Sequence, residues 1–277
     1  MPRLFDKLLR RRKLDVSVSR EVAERASDHL LAMDDALEQL AELPGLEDVK
    51  RTRTLPAQFL PLWDQALASY DAYVQAMTTG PRTLAVQCQA GCSACCHDVP
   101  TGVQAVELLA IYASYREFED FATLHNLACD LSDAFMALLA NEAPGETVVR
   151  SDSPTYARAQ LGYRQAGRPC MFLDADQRCR IYARRPLTCR MHHAITDPSW
   201  CRVDHPKAED AVTPRLEPPS DILEHMRTIA KRLDLQLPTT LFAGLGLLGG
   251  QVMQTQPLRV RDETKAKRRS LPKFRGK

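Results

Sequence analysis

Long apolar runs are missing from this chain. The most apolar stretch, Leu241–Gly250, falls far short of the roughly 20 residues a membrane-spanning helix requires, so no transmembrane segment is expected. The first residues carry Arg3, Lys7, Arg10, Arg11, Arg12 and Lys13 where a secretory signal needs an apolar stretch, which predicts a cytoplasmic protein. An excess of one charge is also missing. The net charge is +2, and a composition of 44% hydrophobic and 26% charged residues excludes collagen-like, coiled-coil-only and wholly disordered chains. There is no internal repeat, and no CxxC…CxxC pair of the kind that builds an ordinary zinc finger.

The charges that are present are segregated. Residues 1–13 sum to +5 and residues 255–277 to +7, which leaves −10 for the body between them. Basic ends on an acidic body suit an anionic partner: RNA, an acidic protein or a membrane surface. Neither end interleaves a series of aromatics with its charges, so solvated, unstructured termini are the plainer reading. Residues 1–18 and 255–277 are expected to be a basic leading segment and a disordered tail.

Apolar residues spaced three and four apart predict helices. Val22, Ala26, Leu30, Met33, Leu37 and Leu40 make a stripe over about 19–43, ending at Pro44-Gly45. Phe59, Leu62, Trp63, Ala66, Leu67, Tyr70 and Val74 make another over about 56–78, with 46–55 and 79–87 as connectors. Thr101 and Gln104 have capping-box spacing ahead of a helix over about 102–119, and a further helix is expected over about 120–141. Residues 168–182 switch to two short apolar segments around Asp174–Arg178, which predicts a β-hairpin. Helices over about 220–234 and 238–252 close the fold, the second weakened by Gly244, Gly246, Gly249 and Gly250. The expected class is mainly α: a helical bundle-like domain with a small β-hairpin and a loop-built cysteine metal site. Residues 19–85 and 206–254 would be helices packed on a cysteine-bearing region over 86–205.

Nine cysteines in a reducing compartment do not read as a disulfide framework, and eight of them are clustered. Cys88, Cys92, Cys95 and Cys96 spell C-x3-C-x2-C-C, and short loops of this kind deliver several thiolates to one ion or cluster. On a helix Cys88, Cys92 and Cys95 would share one face, but Gly91 weakens that reading. The adjacent pair Cys95-Cys96 diverges in any regular structure, so the two either serve two metals or only one of them ligates directly. Cys170, Cys179, Cys189 and Cys201 follow at wider spacing, with His97, His192, His193 and His205 nearby as substitutes. Eight sulfurs suffice for two tetrahedral zinc sites or for one 4Fe–4S cluster with ligands to spare. Cys129, among Leu and Phe on a helix stripe, reads as a small buried hydrophobe.

Thiolates bound to metal keep a net negative charge that is costly to bury without donors. Arg178, Arg180, Arg184, Arg185 and Arg190 are interleaved with Cys179 and Cys189, and Arg185 and Arg190 are the best candidates to donate to sulfur or to hold an anionic substrate.

These residues carry a resemblance. The first cysteine group, Pro169-Cys170-Met171-Phe172-Leu173, Cys179-Arg180-Ile181-Tyr182 and Arg185-Pro186-Leu187-Thr188-Cys189-Arg190 resemble the YkgJ-type cysteine-cluster family, a zinc- or iron-chelating domain, over about residues 88–190. The resemblance implies a metal-binding module with zinc or an iron–sulfur cluster on these cysteines, without an assigned activity. Flagellin lysine N-methylases have a similar cysteine arrangement, which makes group transfer one alternative chemistry and iron–sulfur-dependent redox another.

Two other classes are weighed against this. C-x3-C-x2-C is also the spacing of radical S-adenosylmethionine enzymes, but that site should open a (β/α) barrel, and this chain continues with helices. A cysteine hydrolase needs one thiol beside one histidine, and the crowd of sulfurs argues against it.

Overall fold

The computed structural model describes residues 19–89, 91–146 and 149–261; both strongly basic stretches expected at the ends lie largely outside them. The first helix, α1 (Arg20–Glu42), starts where the Ser19 hydroxyl accepts the Val22 amide at 3.3 Å, and it buries Val22, Ala26, Met33, Leu37 and Leu40 along one stripe. Its main partner is α3 (Phe59–Thr78), which buries Phe59, Leu62, Trp63, Ala66, Leu67 and Tyr70. The connector between them is not featureless. It holds the single turn α2 (Val49–Thr52) and the strand β1 (Thr54–Leu55).

The central helix is α4 (Ala105–Tyr115), in which every residue from Ala105 to Tyr112 is buried. A helix apolar all round has to sit inside. Its start corrects the expected cap by one turn. Gly102 stands in the left-handed region at φ +77, which stops helix there, and the Glu107 carboxylate instead accepts the Gln104 amide at 2.7 Å. The helix also stops at Tyr115 rather than near 119.

Around it lie α5 (Phe121–Glu142), α6 (Pro154–Gln165), α8 (Ser220–Leu233) and α9 (Leu241–Leu247), with the short α7 (Leu187–Met191) on the cysteine side. Sequence periodicity missed α6, although Ser153 caps it by accepting the Tyr156 amide at 3.2 Å and Pro154 opens it. The glycines that weaken α9 as a helix allow it to approach closely. A Cβ on Gly244 would lie 2.6 Å from Leu108 Cδ1 and 2.8 Å from the Pro238 carbonyl oxygen.

Buried residues from Met33 to Met253 form one apolar core. Residues 255–261, expected to begin a disordered tail, are instead bound to the body. Arg259–Val260 is strand β2, parallel to β1 in the register Thr54↔Arg259, and Tyr112 and Arg116 donate to the Gln256 and Thr255 carbonyls. The fold is mainly helical with this one small sheet, and among the described residues no helix is long and apolar enough to cross a membrane.

Candidate metal centre

The first cysteine group is carried by a loop, not a helix face. Gly91, at φ +87, turns the chain after Cys88, and the Cys92 amide donates to the Gln89 carbonyl at 3.0 Å. Cys95 and Cys96 follow on a one-turn 3-10 helix, Ala94–His97. The two neighbours do not diverge as expected from regular structure: their thiols come close enough to influence one another directly.

The expected hairpin shrinks to a stitched turn. Leu173 and Cys179 form an isolated antiparallel bridge, and the Asp174 carboxylate accepts the Arg178 amide at 2.8 Å while Gln177 takes a left-handed φ of +62. No strand pair forms. After Cys179 the backbone coils into the 3-10 turn Tyr182–Arg184, and Arg184 reaches Asp64 on α3. Cys189 lies on α7, and Cys201 ends a further 3-10 turn, Pro198–Cys201.

These distant segments meet through the backbone. The Cys170 amide donates to the Cys96 carbonyl at 2.7 Å, and the Ser93 hydroxyl donates to Gln177 Oε1 at 2.8 Å. The Ala194 amide donates to Cys88 Sγ at 3.1 Å while the Gln87 amide donates to the Ala194 carbonyl at 2.7 Å. Arg164 donates to the Cys201 carbonyl at 3.1 Å and lies 3.7 Å from Asp98. Cys88, Cys92, Cys95, Cys96, Cys170, Cys179, Cys189 and Cys201 are thus gathered in one region. Cys129 is elsewhere, on α5 against Gly246. Among the described residues, no three His, Cys, Asp or Glu side chains already converge as a metal-holding group.

The thiols act on one another. A hydrogen bond from Cys96 lowers Cys95, helped by the Arg185 charge, and the same bond with burial raises Cys96. Burial pushes Cys170 up to about 12 and Cys201 up to about 11, and raises Cys88, Cys179 and Cys189. Neighbouring sulfurs add to every one of these rises. A bound cation reverses this balance, because a coordinated thiol is deprotonated outright.

Most of the interleaved arginines do not face sulfur. Arg180 clasps Asp120 with bonds of 2.6 and 2.8 Å, and Arg184 clasps Asp64 with two of 2.7 Å. Arg190, 1% exposed, pairs with Asp71 and donates to the carbonyls of Arg185, Tyr182 and Ala183. All three fasten the Cys179–Cys189 segment to α3 or to the start of α5. Arg190 therefore departs from the expected role: its charge reaches Cys179, but its hydrogen bonds go to the scaffold.

Arg185 fits the expectation better. It stacks over Tyr182 at 4.3 Å, its charge favours the thiolates of Cys88, Cys95, Cys179 and Cys189, and its Nε is buried without a partner. An unpaired buried donor beside clustered sulfur fits a bound group with net negative charge. Three of the four histidines have other partners: His97 the Gly167 carbonyl, His192 the Arg215 guanidinium and His205 the Lys207 amide. His193 Nε2 is buried and unpartnered.

Beside the thiols is a cavity of about 610 Å³, lined by Cys92, Cys201, His97, Arg164 and Gln177 among others. Sequence reasoning missed Asp64, Asp71 and Asp120, for which no local signal exists. They stand 120, 119 and 60 residues from the arginines they hold.

Residues 87–206 match the family model described as "CxxCxxCC: Putative zinc- or iron-chelating domain", the cysteine-cluster family the motifs resemble. This chain has three residues between Cys88 and Cys92 where the family's name has two. No curated protein and no solved structure matches the chain.

Proposed function

We propose that this chain, which carries the cysteine-cluster domain over residues 87–206, holds zinc or an iron–sulfur cluster on thiolates from both of its cysteine groups. The observation that carries the reading is the 2.7 Å bond from the Cys170 amide to the Cys96 carbonyl, which joins the backbones of two groups 74 residues apart.

Cys88, Cys92, Cys95, Cys96, Cys170, Cys179, Cys189 and Cys201 are the residues that would hold the metal. Arg185 is the side chain best placed to offset their charge. Bound zinc would supply a closed crosslink, and bound iron–sulfur an electron carrier.

The test is elemental analysis of protein purified without oxygen, with a visible spectrum of the same sample. We expect zinc or iron to be retained; broad absorption near ~400 nm identifies iron–sulfur ligation and a colourless sample zinc. Cys95→Ser and Cys179→Ser should lower the metal content and Cys129→Ser should not. Neither metal in a folded sample, or equal loss in all three variants, refutes the assignment.

A second reading, that the centre serves a redox or group-transfer enzyme, is favoured by the polar cavity that Cys92 and Cys201 share. Small molecules that protect Cys92 and Cys201 together from alkylation would support it. Unchanged labelling across a broad metabolite panel would leave a closed, structural centre.

A further inference from the structure

We propose that the surface where Arg259 and Arg261 meet Arg53 and Arg116 docks duplex nucleic acid through its phosphate backbone. None of these residues belongs to the thiol region, and the inference stands independently of the metal centre.

Strand pairing collects the four side chains. The Arg259 amide donates to the Arg53 carbonyl at 3.0 Å and the Arg261 amide to the Leu55 carbonyl at 2.9 Å, so the ladder of β1 and β2 runs on to Arg261. On an extended strand residues two apart face the same way, about 7 Å from each other, which sets Arg259 and Arg261 side by side. Both are exposed. Arg53 Nη2 donates to Gln254 Oε1 at 2.6 Å and Arg116 Nε to the Thr255 carbonyl at 2.8 Å, which holds both guanidinium groups on the turn that leads into β2. The charges of both reach the Tyr112 hydroxyl, itself bonded to the Gln256 carbonyl at 2.7 Å.

Among the described residues none of these four arginines is paired with a carboxylate. The bonds of Arg53 and Arg116 go to uncharged oxygens, which leaves their charge uncompensated and further N–H donors unused. The acids of the adjoining loops are engaged elsewhere: Asp48 by Arg51, Glu47 by Arg232 and Asp234 by Lys50. Glu117, next to Arg116 in sequence, sets one acid against four guanidinium groups. Residues 14–254 sum to −10, so this positive surface stands against the charge of the body. The sequence extends it: residues 262–277 follow directly on Arg261 and carry seven Lys or Arg against Asp262 and Glu263.

The side chains select the partner. A guanidinium group matches two phosphate oxygens at once. Residues 49–55 and 254–261 contain no aromatic side chain, so unpaired bases would find nothing to stack on, whereas a duplex offers its phosphates with the bases turned inward. A membrane surface calls for apolar side chains that insert beside the charges. On these segments Val260 is the one large apolar side chain exposed; Leu31, Met136, Leu161 and Tyr182 lie on other elements. Contacts confined to phosphate read no sequence.

The experiment titrates the full chain, purified anaerobically, into an RNA duplex of about 20 base pairs and the DNA duplex of the same sequence. Fluorescence anisotropy is read at about 50 mM and about 200 mM salt, with vesicles of phosphatidylserine and phosphatidylcholine in parallel. We expect both duplexes to bind, within about threefold of each other, and affinity to fall about a hundredfold or more between the two salt concentrations, as four phosphate contacts require. Arg259→Glu with Arg261→Glu should weaken binding at low salt about tenfold or more and lower the salt slope by about 2. Arg150→Glu with Arg158→Glu makes the same change of net charge beside and on α6, and should weaken it less than about threefold. If the first pair fails to fold by circular dichroism, Arg259→Gln with Arg261→Gln replaces it and should again lower the slope by about 2.

Binding to vesicles and to neither duplex would make this a membrane contact and overturns the proposal, as does binding to none of the three. Equal weakening by the two pairs of substitutions, or parent-like binding by the Arg259 and Arg261 pair, would mean that charge elsewhere carries the affinity, and also overturns it. A preference of more than about tenfold for one duplex overturns recognition by the backbone alone. None of these results bears on the thiolate centre, which is tested by the metal content of the same preparation.

Discussion

Replacing Arg190 by alanine tests whether the cysteine segment is held by the scaffold or only by its own sulfurs. The side chain is 1% exposed and donates to Asp71 and to three carbonyls of the segment between Cys179 and Cys189. Removing one member of a buried ion pair costs about 3–5 kcal/mol, because the partner group is left without compensation. Two features reduce that figure here. Asp71 is 51% exposed, and Tyr182 and Ala183, whose carbonyls lose a donor, are exposed residues. The released acceptors can bind water, so the expected loss is about 2–4 kcal/mol.

Urea unfolding of anaerobic protein measures this directly. Arg190→Lys separates charge from geometry, since an ammonium on a flexible stem can keep the Asp71 pair but cannot reach three carbonyls as a planar fork does. It should fall between the parent and Arg190→Ala. Both variants should also give up metal to a chelator faster than the parent, because the loosened turn carries Arg185. An alanine variant within about 0.5 kcal/mol of the parent, the range of ordinary surface substitutions, would refute the reasoning, as would a lysine variant equal to the parent.

Glu107 is 2% exposed and accepts the Gln104 and Leu187 amides, one on each oxygen, at 2.7 Å, so Glu107→Gln turns one acceptor into a donor facing a donor and should cost about 1–3 kcal/mol. Burial raises this carboxyl from 4.5 to about 7, so its contribution to stability is full below the ordinary value and is lost as pH rises through about 7. The variant's deficit should therefore shrink between about pH 5 and about pH 8, and a constant deficit in urea melts would contradict the assignment. Gly244→Ala should cost about 1–3 kcal/mol, because its Cβ would meet Leu108 and the Pro238 carbonyl, whereas Gly250→Ala, with nothing nearer than 3.7 Å, should cost nothing. Thermal melts of the two variants decide it, and equal losses would mean that close packing is not what the glycine in α9 serves.

The helices were legible where one face alone is apolar. The stripes of α1 and α3 correspond to faces that are buried, and the ends of α1, α3, α5 and α8 agree with the expected ranges within a few residues. Helix α6 was not legible from periodicity, because it buries only Tyr156, Ala159 and Tyr163 in a polar segment; the Ser153-Pro154 start was its one local sign. The cap of α4 was misplaced because Thr101-Gly102-Val103-Gln104 has the right spacing, but Gly102 takes a backbone angle that spacing does not reveal. At the site, the chemistry of the cysteines was legible and their meeting was not. C-x3-C-x2-C-C says that four sulfurs are close in sequence, while the docking of Cys170 on Cys96 depends on bonds formed across the whole fold.

The arginines explain why the cysteine-bearing region needs so much helical protein around it. Arg180, Arg184 and Arg190 hold the segment from Cys179 to Cys189 at three points, on Asp120, Asp64 and Asp71, and Glu107 fixes the start of α7 through the Leu187 amide. The first group is held more lightly, by the bonds that join Cys96 to Cys170, Ser93 to Gln177, Cys88 to Ala194 and His97 to Gly167 and by a 3.7 Å pair between Asp98 and Arg164. One half of the thiol set is thus built into the scaffold and the other is laid over it by a few hydrogen bonds. A small zinc domain gains its fold from its metal. In this protein Cys170 and Cys179 pack against a core running from α1 to α9, so bound metal would chiefly tighten the loop from Cys88 to Cys96 onto a surface already formed.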